Sequence, residues 1–123
     1  MKVKKVLLIE DFPQLQNMIS EQIKVVFGED TNVLIAGSLE GAERFYDLHV
    51  TDIDLILMDT NLGGGVTTFA LAERIGQEFN RPIVSISTNP LHRQKMMEKG
   101  CTHECEKSEI FSFLLKWKED HHA

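Results

Sequence analysis

Three acidic side chains stand where apolar runs end: Glu10 and Asp11 after Val6-Leu7-Leu8-Ile9, and Asp59 after Leu55-Ile56-Leu57-Met58. A short aliphatic run bounded by polar residues reads as a buried parallel strand, and side chains at the carboxyl ends of such strands line the crevice of an open α/β sheet. The three carboxylates are therefore expected in one crevice. Two ionised carboxylates about 4 Å apart repel by roughly 4 kcal/mol at an effective dielectric of ~20, so the group calls for a cation. Hard oxygen donors with no thiolate or imidazole among them suit Mg2+. The run Ile83-Val84-Ser85-Ile86 ends at Ser87, and the segment after Gly100 ends at Lys107. A hydroxyl and an ammonium would thus join the carboxylates, with Ser85 or Thr88 as the other possible sources of the hydroxyl.

The elements that must position these groups alternate between short apolar runs and stretches of helical period, the rhythm of a parallel sheet covered by helices on both faces. Lys5 to Ile9 reads as the first strand. Pro13, a favoured first-turn residue, opens a helix whose inner face is Leu15, Met18, Ile19, Ile23 and Val26, stopped by Gly28. Val33 to Ala36 is the second strand, Ser38 the N-cap of the next helix, and Leu39, Ala42, Phe45 and Tyr46 its stripe. After Leu55 to Met58 comes Gly63-Gly64-Gly65, which lacks the lysine and hydroxyl residue of a P-loop and reads as a flexible turn. Thr68, Leu71, Ala72, Ile75 and Phe79 then follow helical spacing. Asn89-Pro90 is an N-cap followed by a first-turn proline, beginning a fourth helix that ends at Gly100. His103 to Glu106 is the fifth strand, and Ile110, Phe113, Leu114 and Trp117 define the last helix.

With an acidic pair, an acceptor aspartate, a Ser/Thr and a lysine in that order, the chain resembles the receiver domain of two-component response regulators, of the single-domain chemotaxis type, over essentially its whole length. The resemblance implies an α/β fold, a flavodoxin-like doubly wound (βα)5 sandwich with a five-stranded parallel sheet in the order 2-1-3-4-5, and one receiver domain over residues 1–123. It implies that Asp59 accepts a phosphoryl group from phosphohistidine on a sensor histidine kinase or a histidine phosphotransfer protein. Glu10, Asp11, Asp59 and the backbone carbonyl of Asn61 would hold Mg2+. Lys107 and Ser87, with Thr88 beside them, would contact the phosphoryl group and act as the switch. An aspartate is a poor nucleophile toward phosphorus until charge repulsion is neutralised, which is the work of the metal and the lysine. The chain would be a signalling phosphoprotein and not an enzyme, and inward movement of Ser87 would reshape the face formed by helix 4, strand 5 and helix 5.

Three positions depart from the family's usual residues: Ser108 where proline commonly follows the lysine, Gly63 where proline is common, and Glu104 where an aromatic is common. A glutamate does not fill an apolar slot cheaply. Phe111 and Leu115 are i, i+4 neighbours off the main stripe of the last helix; read as solvent-facing they join Glu104 in an output face for a downstream protein target. A wide buried face on that helix is the alternative.

Composition fits this class. A chain of 123 residues with 42% hydrophobic residues can bury a core as one domain. The balance of 13 basic against 19 acidic residues, net −6, opposes the phosphate electrostatics of nucleic-acid binding, so no direct nucleic-acid partner is expected. Lys2, Lys4 and Lys5 read as a solvated start to the first strand. No apolar stretch approaches the roughly 18 residues of a membrane span, and no signal peptide is evident, which gives a cytoplasmic expectation. Cys101 and Cys105 are too far apart along a strand to bridge; with His103 they share a face by alternation, spaced about 6.6 Å, too wide for one metal ion. The expected output is protein binding by a stand-alone receiver, monomeric or dimerising on phosphorylation. The alternatives are the receiver piece of a longer regulator or hybrid kinase, a receiver-like interaction module that does not switch by phosphorylation, and an α/β small-ligand protein, for which no nucleotide loop is present.

Overall fold

The computed structural model describes residues 2–123. Five strands and five helices alternate: β1 Lys5–Ile9, α1 Pro13–Phe27, β2 Asn32–Ala36, α2 Leu39–His49, β3 Leu55–Met58, α3 Phe69–Glu78, β4 Ile83–Ser85, α4 Pro90–Lys99, β5 His103–Glu104 and α5 Ile110–His121, the last preceded by a 3-10 turn, Lys107–Glu109. The sheet is parallel throughout in the order β2-β1-β3-β4-β5. This is the doubly wound arrangement expected from the sequence.

Both faces of the sheet are covered, which is why its central strands, β1 from Val6 and all of β3, are unbroken apolar runs. Along β1, Val6 and Leu8 join Ile19, Ile23, Leu114 and Trp117 beneath α1 and α5, whereas Leu7 and Ile9 join Tyr46, Ile75 and Met96 beneath α2, α3 and α4. β3 divides in the same way: Leu55 and Leu57 face the first layer, Ile56 and Met58 the second. Ser38 caps α2 through its side chain, accepting from the Gly41 N–H, and Asn89 caps α4 by accepting from Leu91 and His92. Gly100 closes α4 at φ +150, where an added Cβ would lie 2.7 Å from the Ala72 carbonyl oxygen; α3 and α4 therefore touch backbone to backbone.

Several details differ from the sequence expectation. Met18 is 43% exposed and lies outside the buried stripe of α1, which runs through Ile19, Ile23 and Val26; Met18 falls on the neighbouring row with exposed Val25. β5 is only two residues long, so alternation does not extend from Cys101 to Cys105. The two cysteines in fact enter opposite layers, Cys101 beneath α3 and α4 and Cys105 beneath α5. Burial pushes the Cys101 thiol up to about 12 and, with Glu109 nearby, that of Cys105 to about 11, so both are free, inert thiols. Phe111 is half-buried and packs against the α1–α5 layer, so it is not a solvent-facing partner of Leu115, which is 45% exposed.

Candidate functional site

The carboxyl ends of β1, β3 and β4 and the segment after β5 open into one cleft lined by Glu10, Asp11, Asp59, Asn61, Ser87, Thr88 and Lys107. Each side chain arrives there because its strand stops. Glu10 is wholly buried, Asp59 and Ser87 nearly so, and Asp11 is exposed on the rim. Oxygens of Glu10, Asp11 and Asp59 lie within 4.8 Å of one another. Lys107 reaches across them, its Nζ 2.7 Å from Glu10 Oε1 and 2.8 Å from Asp59 Oδ2. The amine begins the 3-10 turn that leads into α5, so one short segment both ends the sheet and supplies the positive charge.

Backbone donors fix the acids further. The Phe12 N–H donates to Glu10 Oε2 at 3.0 Å, and the Thr60 N–H to Asp59 Oδ1 at 2.8 Å. Asp59 Oδ2 is held by Lys107 alone among the described residues. Burial raises the Glu10 carboxyl above the ordinary carboxylate range and the Asp59 charge adds to this, while Lys107 and the Phe12 N–H pull the other way. Burial works against the charge on Lys107, but hydrogen bonds to Asp59 and Glu10 outweigh it and the ammonium is held more firmly than usual. The cleft thus keeps one fixed cation against three acids. That donor set, hard oxygens with a net negative charge and less than 5 Å between them, fits a divalent metal ion held by Glu10, Asp11 and Asp59. Gly63 crowds this group: at φ +85, its added Cβ would lie 3.3 Å from Asp11 Oδ2. Asn61 lines the same cleft, with its side-chain oxygen accepting from the Gly63 N–H.

Ser87 and Thr88 divide the hydroxyl role unequally. Ser87 is buried at the cleft floor, its Oγ accepting from the Asn89 N–H at 3.1 Å, whereas Thr88 is exposed on the rim. Ser85 is enclosed in β4 and does not line the cleft. Glu104 lies outside the cleft, 46% exposed, and pairs with Arg93 at 3.2 Å; the charge sits in no apolar slot.

Three supporting residues carried no functional signal in the sequence. Thr68 Oγ1 donates to the Asp59 backbone carbonyl at 2.7 Å and Gln16 Nε2 to that of Glu10 at 2.6 Å, so each acid is steadied from its own main chain. Arg93 Nη1 donates to the Ser87 carbonyl at 2.7 Å. Thr68 was visible only as one position of a helical stripe, and nothing marks Gln16 or Arg93 before the loops are folded.

No protein-family profile matches the chain. Solved structures do. The signal receiver domain of a DNA-binding response regulator from Colwellia psychrerythraea 34H superposes with a TM-score of 0.79 at 19% identity, over 96% of this chain and 97% of that one. A CheY-like response regulator receiver domain from Methanospirillum hungatei JF-1 gives a TM-score of 0.74 at 15% identity, covering 97% and 94%. The Mn(2+)-bound form of response regulator Rcp1 gives 0.71 at 19% identity, covering 94% and 92%. The fold is that of response regulator receiver domains. In sequence, a 78-residue stretch is 38% identical to the transcriptional regulatory protein ComA of Bacillus subtilis (strain 168), spanning 62% of this chain and 35% of ComA.

Proposed function

We propose that the protein is a phosphoacceptor receiver of a two-component or phosphorelay system, with Asp59 as the acceptor. The observation that carries this reading is the Lys107 ammonium set within 2.8 Å of both Glu10 and Asp59, with Asp11 completing the acid group. An Asp59 carboxylate oxygen attacks the phosphorus of a phosphohistidine; the P–O bond forms, the P–N bond breaks, and the partner's imidazole leaves to take up a proton. Lys107 then exchanges a carboxylate for a phosphoryl oxygen, and the Ser87 hydroxyl turns from its acceptor role toward Asn89 to donate to another. Glu10, Asp11, Asp59 and the Asn61 carbonyl would hold Mg2+, whose charge offsets that of the incoming phosphoryl group. The partners are a sensor histidine kinase or histidine phosphotransfer protein upstream and a protein target downstream. The setting is cytoplasmic and the chain is a switch that is consumed and reset, not a turnover enzyme. No helix among the described residues is long and apolar enough to cross a membrane.

Intact-mass spectrometry after incubation with acetyl phosphate and Mg2+ tests this. The wild type should gain one phosphoryl group that hydroxylamine removes, and Asp59→Asn should gain none. A wild-type mass that stays unchanged, with phosphorylated kinase as well as acetyl phosphate, would instead favour a receiver-like interaction module that does not switch by phosphorylation.

A further inference from the structure

Arg93 occupies a place that the acid cleft does not explain. It projects from the first turn of α4, and its guanidinium donates in two directions: Nη1 to the Ser87 backbone carbonyl at 2.7 Å and Nε to Glu104 Oε1 on β5 at 3.2 Å. The side chain is only 16% exposed, so the fork is confined, not waving in solvent. Its two acceptors belong to different elements. Ser87 lies two residues past the end of β4 and lines the cleft; Glu104 is the last residue of β5, paired in register with Ser85. A planar guanidinium holds both acceptors in a fixed relative geometry, which a lysine ammonium does not do. Displacement of the Ser87 main chain therefore cannot leave Arg93 where it is unless one of the two bonds is given up.

We propose that Arg93 is the positioning residue that couples Ser87 to β5, with Glu104 holding its guanidinium in line. This deepens the reading of the cleft as a phosphoacceptor site and rests on it. Arg93 touches neither the acceptor aspartate nor the transferred group; it acts through the Ser87 carbonyl. When Ser87 turns toward a phosphoryl group on Asp59, the Arg93 fork either follows, drawing Glu104 and the N-terminal turn of α4 with it, or releases Glu104 to solvent. In both cases an event in the cleft is reported on the α4–β5 surface. The link is polar and partly exposed, so it can be remade without opening the core, which matches a contact that must alternate between two arrangements.

Amide spectra of 15N-labelled protein test the coupling, using beryllofluoride with Mg2+ as the probe. In the wild type the probe should shift the amides of Thr60 and Ser87 at the cleft and also those of Glu104, Cys105 and Arg93. In Arg93→Met, which keeps the length of the side chain and removes the fork, the cleft shifts should persist while those at Glu104 and Cys105 are lost. Glu104→Gln, on a half-exposed position and so a milder change, should reduce the β5 shifts and leave Thr60 as it was. Full β5 shifts in either variant would overturn the coupling. A wild type with no shifts at the cleft would overturn the phosphoacceptor reading itself, and the coupling with it; wild-type shifts confined to the cleft would overturn the coupling alone.

Discussion

The α1–α5 layer and helix α4 on the opposite face are held by different physics. Beneath α1 and α5, Ile19, Ile23, Val26, Ile110, Leu114 and Trp117 are all buried, with Phe27 edge-on to Trp117 at 6.1 Å and Lys118 donating to the Val26 carbonyl. α4 fully buries one side chain, Met96, with Met97 half-buried against the same core, and is otherwise fastened by the Asn89 cap, the Arg93 fork, a Lys99–Glu73 ion pair and the backbone approach of Gly100 to α3. Apolar burial is non-directional and lost only by separating the surfaces, whereas a few polar contacts exchange partners at small cost. The α1–α5 layer is thus more firmly packed than α4. The helix beside Ser87 is the one whose position can change without exposing much of the core.

Breaking the α1–α5 layer should have the largest effect. Leu114→Ala removes a wholly buried side chain from the α1–α5 contact, and loss of about 2–5 kcal/mol is expected by denaturant unfolding, with the m-value unchanged. A loss below 1 kcal/mol would mean that this layer is less tightly packed than its burial indicates. On α4, by contrast, Leu91→Ala changes a residue that is 72% exposed and should shift stability by no more than about 0.5 kcal/mol.

A middle-sized effect separates fastening from packing. Asn89→Ala removes the side-chain oxygen that accepts from the Leu91 and His92 N–H groups, and about 1 kcal/mol of stability should be lost. The comparison predicts where that loss appears. Hydrogen exchange should quicken in the first turn of α4 and remain slow in α1 and α5, because the cap supports one helix and not the common core. Uniformly faster exchange across both layers would show that α4 and the rest open together.

The same contrast explains how much of this architecture could be read from residues alone. β1 and β3 were legible because both of their faces are buried, leaving runs of four aliphatic residues with an acid at the end of each. The acid group and Lys107 were legible for the same reason: a strand that stops puts its next residue in the crevice. β5 was not, since only two of its residues pair and its flanking cysteines turn into opposite layers, so the period-2 pattern that its sequence suggests has no strand to express it. Nor was Arg93, whose partners lie six residues before it and eleven after, a contact set by the bend from β4 into α4 and not by any helical or strand period. Phe111 shows the same limit: spacing put it beside exposed Leu115, yet it lies just after the 3-10 turn and packs inward.

Thiol chemistry gives a smaller and sharper probe of the core. Cys101 and Cys105, pushed up to about 12 and about 11 by burial, remain protonated at pH 8 and sealed in opposite layers. Labelling of the native protein with an aromatic disulfide reagent should be slow at both and fast only in denaturant, with Cys101 the slower, since its thiol is the more strongly raised. Rapid native labelling of Cys101 would mean that α4 opens far more often than its contacts imply.

The smallest expected effect is a titration on the strand between the two layers. His103 on β5 lies against the Phe113 ring at 6.0 Å and contacts Thr102 Oγ1 through Nδ1. Burial lowers its affinity for a proton below the ordinary 6.5, and the nearby charge of His121 lowers it further. The unfolded chain therefore binds more protons than the folded one in the window from 6.5 down to the folded value, so stability rises with pH there. The contribution is fully present above 6.5 and is lost as pH falls through that window. A histidine side-chain NMR titration should find the His103 midpoint below 6.5, and His121→Gln should move it part of the way back. A midpoint at or above 6.5 would mean that β5 is open to water, and the Arg93–Glu104 contact on the same short strand would then be more exposed than the packing around it implies.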